Sequence, residues 1–445
     1  MDSLSRLLMT SLCSGRLWTA LLVSLIFSSC GDYYRPVAFP EPGPPPDPSA
    51  LHFSLVISDN GNENPGTSSR IDVSGDTNVG VASVGRRPVH AALLPNGSRV
   101  FVANDSDDVD TISSYSPSDA TQVTTISLES GSNPVFVHTT QNDVVYVANS
   151  GSNTVAVISV SNNVVANTIA VGSNPVALAE LPNRQKLYVV NQGSGDVTSI
   201  NTVDRSVNPV IATGANPVMA VARSDSARVY SLNEGSGTVS VIDTSSDAVL
   251  SSPTVDPGSN FMFYDKALNR LYIVEPSRKV AVFDVSVDPP VALAPIDLSG
   301  AGICPAGCTI DGLTVLPDGS RVYVATHSTT ATCSSASDTP PCITSRVTVV
   351  REPGNTILTT MDSGAKPDVP VVAACDTVRY RRSIAAAADG TRVFASNCDA
   401  GSTGIIRTSD DTHVLDLPAP VSAFNPPQPN APPPPQNPVL VLAGR

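Results

Sequence analysis

A block of about 42 residues recurs along this chain, and that period restricts the fold more than any single residue does. Three consecutive copies show it. The first runs Gly131-Ser-Asn-Pro-Val, then Val145-Tyr-Val-Ala-Asn149, then Asn153-Thr-Val-Ala-Val-Ile158. The second has Gly172-Ser-Asn-Pro-Val, Leu187-Tyr-Val-Val-Asn191 and Asp196-Val-Thr-Ser-Ile200. The third has Gly214-Ala-Asn-Pro-Val, Val229-Tyr-Ser-Leu-Asn233 and Thr238-Val-Ser-Val-Ile-Asp243. A repeat of this length carrying four short β-patterned runs is the signature of a propeller blade.

The aromatic of the second strand serves as a ruler. It falls at Phe101, Tyr146, Tyr188, Tyr230, Tyr272, Tyr323 and Phe394, so the modules are regular at first and swell toward the C-terminus. Each module reads as strands a to d, rich in Val, Ile, Tyr and Thr and separated by Gly, Asn, Asp, Ser and Pro. Before the first full module, Ser54–Ser58, Ser69–Val73 and Val79–Val84 supply strands b, c and d without an a. The C-terminal Asn437-Pro-Val-Leu-Val-Leu442 repeats the opening of strand a and then stops. A propeller protects its edges by closing the ring. The expectation is therefore an all-β, eight-bladed propeller of four-stranded blades with one blade built from both termini. Seven blades is the alternative, should either terminal segment pack elsewhere. The propeller spans 51–445, with a Pro-rich loop at 425–436 inside it.

Residues 1–29 read as an export signal. Arg6 and Arg16 are basic, and Leu17–Phe27 is an apolar run too short for a membrane span. Ser28 and Ser29 precede Cys30, which resembles a bacterial lipobox, with Phe27 standing where that motif prefers Leu. The resemblance implies lipidation at Cys30; ordinary signal cleavage and a soluble secreted product is the alternative. Residues 30–50 hold a run of prolines and read as an extended tether of roughly 3 Å per residue. Several acyl chains on one cysteine would make the attachment stable.

Net charge is −14, and removing the leader's Arg6, Arg16 and Asp2 takes it to −15. That balance opposes nucleic-acid binding, which depends on clustered Lys and Arg. The only Trp, Trp18, lies in the leader. Six cysteines follow Cys30, namely Cys304, Cys308, Cys333, Cys342, Cys375 and Cys398. An even number in an exported chain reads as disulfides. A metal site built on Cys304, Cys308 and Cys333 is the alternative, but no His sits at ligand spacing beside them. Loop geography pairs 304 with 308, 333 with 342, and 375 with 398.

The strand motifs resemble the YVTN β-propeller repeat family of surface-layer and periplasmic propellers. The tetrad appears as Phe101-Val-Ala-Asn104, Tyr146-Val-Ala-Asn149, Tyr188-Val-Val-Asn191 and Tyr323-Val-Ala-Thr326. The resemblance covers about 85–290 strongly and 290–445 more loosely. It implies the fold and an envelope location, and it leaves activity open.

Evidence of catalysis is thin. His90 and His138 lie in strands a of neighbouring modules and could approach the channel, but no carboxylate pair accompanies them, so a core or solvated role is the better reading. His52, His327 and His413 form no motif, and no Gly-x-Ser-x-Gly occurs. The absence of Trp speaks against quinone-dependent propeller dehydrogenases, and no channel carboxylate set of a lactonase type is identifiable. No cofactor is expected. Calcium is the alternative, with Asp105, Asp107, Asp108 and Asp110 as candidate ligands and Asp59–Asn64 in the equivalent slot of the split blade.

Geometry gives the stronger pointer. In a propeller, b–c and d–a loops emerge on one face. The insertions at 59–68, 300–309, 326–345, 361–382 and 397–403 all belong to that class, sit on the sixth to eighth blades, and carry or adjoin all six cysteines. A stapled sector of one face reads as a recognition surface on a rigid scaffold. The expected function is thus a monomeric, lipid-anchored module of the cell envelope, facing periplasm or exterior, that binds or scaffolds another envelope protein or surface component without catalysis. The runner-up is a periplasmic propeller enzyme, either a lactonase or hydrolase or a cofactor-dependent oxidoreductase.

Overall fold

A computed structural model describes residues 53–61, 64–106, 108–300, 302–364, 366–379, 381–420 and 436–443. The leader, Cys30, the tether, His52 and residues 425–435 of the Pro-rich loop lie outside these.

Eight antiparallel sheets make up the ring. Blade one comprises Pro88–Leu93, Val100–Asn104, Thr111–Ser116 and Asp119–Ser127, as strands a to d from the axis outward. Blades two to seven repeat that order, with strands a at Pro134–His138, Pro175–Glu180, Pro217–Ala222, Phe261–Asp265, Cys308–Val315 and Ile384–Ala386. Blade eight is the composite one. Phe53–Asp59, Thr67–Asp72 and Thr77–Ser83 form its strands b, c and d, and Asn437–Ala443 lies beside Phe53–Asp59 as strand a.

The repeat motif now has physical reasons. Asn133, Asn174 and Asn216 of the Asn-Pro-Val segments take left-handed φ of 46°, 52° and 54°, a conformation that Asn tolerates better than most residues. Gly172 precedes one such turn because a Cβ there would come within 2.6 Å of the Asn191 amide. That amide in turn donates to Asp196 Oδ1 at 2.6 Å and Thr198 Oγ1 at 2.8 Å, fastening the end of strand b to strand c. After each Pro the ladder skips a residue, so Val89, Val135, Val176, Val218 and Val439 are bulged out of pairing. In blade six the bulged residue is Asp311.

Buried apolar side chains form clusters between adjacent blades; one joins Tyr188 and Val190 of blade three to Val229 and Ile242 of blade four. A polar clasp reinforces the interfaces on the face of the a–b and c–d turns. The cation two residues before the ruler aromatic reaches the c–d turn of the next blade. The pairs are Arg99 to Asn163, Lys186 to Asp247, Arg228 to Asp288, Arg270 to Glu352, Arg321 to Asp411 and Arg392 to Asp76. The ruler tyrosine often joins in, with Tyr188 donating to Asp247 at 2.6 Å and Tyr323 to Asp411 at 2.5 Å. Asp76, Asn163, Asp247 and Asp411 all have φ near +50°, so one turn residue satisfies the backbone and anchors the neighbouring blade.

Candidate functional site

The axial channel is lined by strands a, whose inner edges carry backbone N–H groups with no further strand to pair. Side chains of the preceding blade accept some of them. His90 Nδ1 takes the Val137 N–H and His138 Nε2 takes that of Glu180, each at 3.2 Å. Met219 Sδ, Thr314 Oγ1 and Ser383 Oγ do the same for Met262, Ala386 and Val441. Burial, aided by Arg379 and His138, holds the His90 imidazole far below its usual range, at about 3. It therefore stays neutral and remains an acceptor. These two histidines reach the channel, where they act as inter-blade braces.

At the face of the b–c and d–a loops the channel opens into a cavity of about 390 Å³. The bulged valines line it, with Asp59, Arg87 and Asp105 at its edge. Arg87 and Asp105 pair at 3.4 Å, and burial raises the Asp59 carboxyl above its usual range. A segment from blade seven's entry, Thr377-Val378-Arg379, crosses this mouth. Arg379 donates to the carbonyls of Val176 at 2.6 Å and Val218 at 3.0 Å, and its guanidinium lies 5.2 Å from the centre of the Phe136 ring. Phe136 is stacked on His90 with centroids 4.0 Å apart.

That segment is held firmly on both sides of Arg379. Cys375 is bonded to Cys398 in the b–c turn of its own blade. Arg381 pairs with Asp399 at 2.6 Å. Arg382 is 1% exposed, and it donates to the carbonyls of Thr326 and Arg346 at 2.7 Å and to Ser363 Oγ. Desolvation pulls its pKa down to about 10, opposed by the charges of Asp311, Asp399 and Asp416. Asp311 also meets His327 at 2.8 Å. The Arg379–Arg382 stretch was not singled out from the sequence, because it sits in an insertion that no repeat position predicts.

The stapled sector takes definite form. Cys304 bonds to Cys308 and Cys333 to Cys342, completing the pairing that loop geography suggested. One reading needs correction: 326–345 is only partly a loop. Its strands stay paired from Thr326–Arg346 to Thr330–Cys342, so it projects as a hairpin. Val369–Pro370 adds a short third strand against Cys342–Ile343, and Asp368 accepts from Ser334 N at 2.9 Å. Strand pairing and hydrogen bonds thus tie the blade-six hairpin to the segment that enters blade seven.

The candidate calcium ligands point to separate partners. Asp105 pairs with Arg87, Asp108 with Arg86 at 3.0 Å, and Asp110 accepts the Asn133 N–H at 2.9 Å. Asp107 lies outside the described residues. Among the described residues no group of three acidic, His or Cys side chains is placed to hold a metal ion. His413 lies 3.2 Å from Asp416, which raises its pKa.

Neither a protein-family model nor a curated protein matches this chain. Solved structures do. The dihydro-heme d1 dehydrogenase NirN is similar at a TM-score of 0.64 and 12% identity, over 89% of this chain and 76% of that one. The Cps50 (Swd1) β-propeller domain of Myceliophteria thermophila gives 0.52 and 8%, over 72% and 97%. A 6-phosphogluconolactonase assigned in Bacteroides fragilis NCTC 9343 gives 0.51 and 10%, over 90% and 99%. These neighbours include a dehydrogenase and a β-propeller domain, and identities this low establish architecture alone. The chain is an eight-bladed β-propeller closed by its own two ends.

Proposed function

We propose that this chain is an exported, lipid-anchored cell-envelope propeller of the YVTN-repeat type that acts as a non-catalytic binding or scaffold module. It would engage an envelope protein through the stapled loop sector of blades six to eight. One observation carries this reading: the projecting hairpin of blade six pairs with the segment leading into blade seven, buried Arg382 ties that segment to carbonyls of blade six, and Cys375–Cys398 fastens it to its own blade, giving one rigid relief. Such pre-organisation lowers the ordering cost of association. The channel histidines here are occupied as braces, which favours the module over catalysis.

The test is photo-crosslinking in intact cells from a reactive amino acid placed at exposed Ser337 on the hairpin. The control position is exposed Ser245, on a c–d turn of the opposite face. A discrete protein adduct from position 337 alone is expected. No adduct, or the same adduct from both positions, overturns the reading.

The anchor is tested separately. Cys30→Ala should move the protein from the membrane pellet to the soluble fraction, and the native N-terminal peptide should carry acyl mass. A pellet unchanged by the substitution, with no acyl mass, removes the lipid from the proposal.

A further inference from the structure

The contacts of Arg379 describe a receptor as well as a plug. The bulges after Pro175 and Pro217 release Val176 and Val218 from the ladders, and their carbonyls sit on adjacent blades, 2.6 and 3.0 Å from the two terminal nitrogens of one guanidinium. The Phe136 face, 5.2 Å away, completes a cation–π floor, and valines form the wall. Asp59 adds an acidic group at the edge of the cavity, beside the Arg87–Asp105 pair. A planar fork can bridge two carbonyls on neighbouring blades while stacking on a ring, whereas an ammonium presents a point charge that satisfies only part of this geometry. The side chain of Arg379 is itself exposed, so it can leave without opening a core.

We propose that the channel mouth is a guanidinium-binding site, filled in cis by Arg379 and able to take an arginine side chain of the envelope partner when that residue withdraws. The identity of the partner rests on the binding-module reading. The site itself does not, and its test uses small probes alone.

Arg379→Ala empties the site. Ethylguanidinium at millimolar concentration should then raise the melting temperature of the variant saturably, by about 2 °C or more, and leave the wild type unmoved. Ethylammonium should do neither. The peptide Gly-Arg-Gly should act as ethylguanidinium does, and Gly-Lys-Gly should not. Equal shifts in variant and wild type, equal shifts from the ammonium probes, or no shift in the variant each overturn the proposal. If the alanine variant does not fold, Arg379→Gln, which keeps an amide donor and loses the charge, gives the same readout. A failure here would leave the crosslinking result at position 337 untouched, so the two readings fall separately.

Discussion

Deleting residues 437–445 should leave a protein that no longer unfolds cooperatively at ordinary temperature, whereas deleting 425–433 should shift the melting midpoint little. The difference follows from what the first segment holds together. Asn437–Ala443 pairs with Phe53–Asp59 over six residue positions, from Ser54–Ala443 to Asp59–Asn437. Ser54 Oγ donates to the Leu442 carbonyl at 3.0 Å, and the Val441 N–H reaches Ser383 of blade seven at 3.2 Å. Val439 and Val441 are buried, the first in the cluster shared with blade one and the second in the cluster shared with blade seven. Val439 and Val441 at about 1.5–3 kcal/mol each, with half-buried Leu440 and Leu442 adding part of that, amount to roughly 4–9 kcal/mol. That is comparable to the whole stability of a typical domain, about 5–15 kcal/mol. The loss also opens the ring and bares an edge strand, an aggregation template. Differential scanning calorimetry of both deletions decides it. Equal midpoints would mean that the composite blade contributes nothing to closure.

The legible part of this fold was the part that repeats. Tyr188 and its equivalents marked strand b because each aromatic is buried between two blades, and a periodic burial demand leaves a periodic residue. The split blade was readable because Asn437-Pro-Val carries the same opening as Asn174-Pro-Val. Other regularities were present but unread. Arg99, Lys186, Arg228, Arg270, Arg321 and Arg392 all stand two places before the aromatic, and their partners stand in c–d turns one blade on, so the clasp was written in register. The site was harder. Arg379 acts through carbonyls more than 160 residues away, on blades three and four, and nothing local to Arg379-Tyr-Arg-Arg382 announces that reach. Asp311 occupies a position that holds Val in five other blades, a departure visible only after the bulge register is known. Of the calcium candidates, Asp105, Asp108 and Asp110 each have another partner, a nearby arginine or a backbone N–H.

Arg382 shows how much an unrepeated residue can carry. Replacing it by Met should lower stability by about 3–5 kcal/mol, the usual cost of breaking a buried charge arrangement from one side. Two causes add. The carbonyls of Thr326 and Arg346 would lose a shared donor on a side chain that is 1% exposed, where water cannot easily substitute. Asp311, Asp399 and Asp416, whose charges all favour the guanidinium, would lose a buried countercharge. Arg381 and His327 still partner Asp399 and Asp311, which caps the penalty and argues against wholesale unfolding. The control is Arg407→Met: that arginine is exposed and pairs with exposed Asp410 at 3.2 Å, an arrangement worth at most about 1 kcal/mol. Urea midpoints measured with the disulfides intact separate the two. A midpoint for Arg382→Met indistinguishable from that of Arg407→Met would show that the buried guanidinium is dispensable, the entry segment of blade seven being held by its other ties, among them Cys375–Cys398 and Arg381–Asp399.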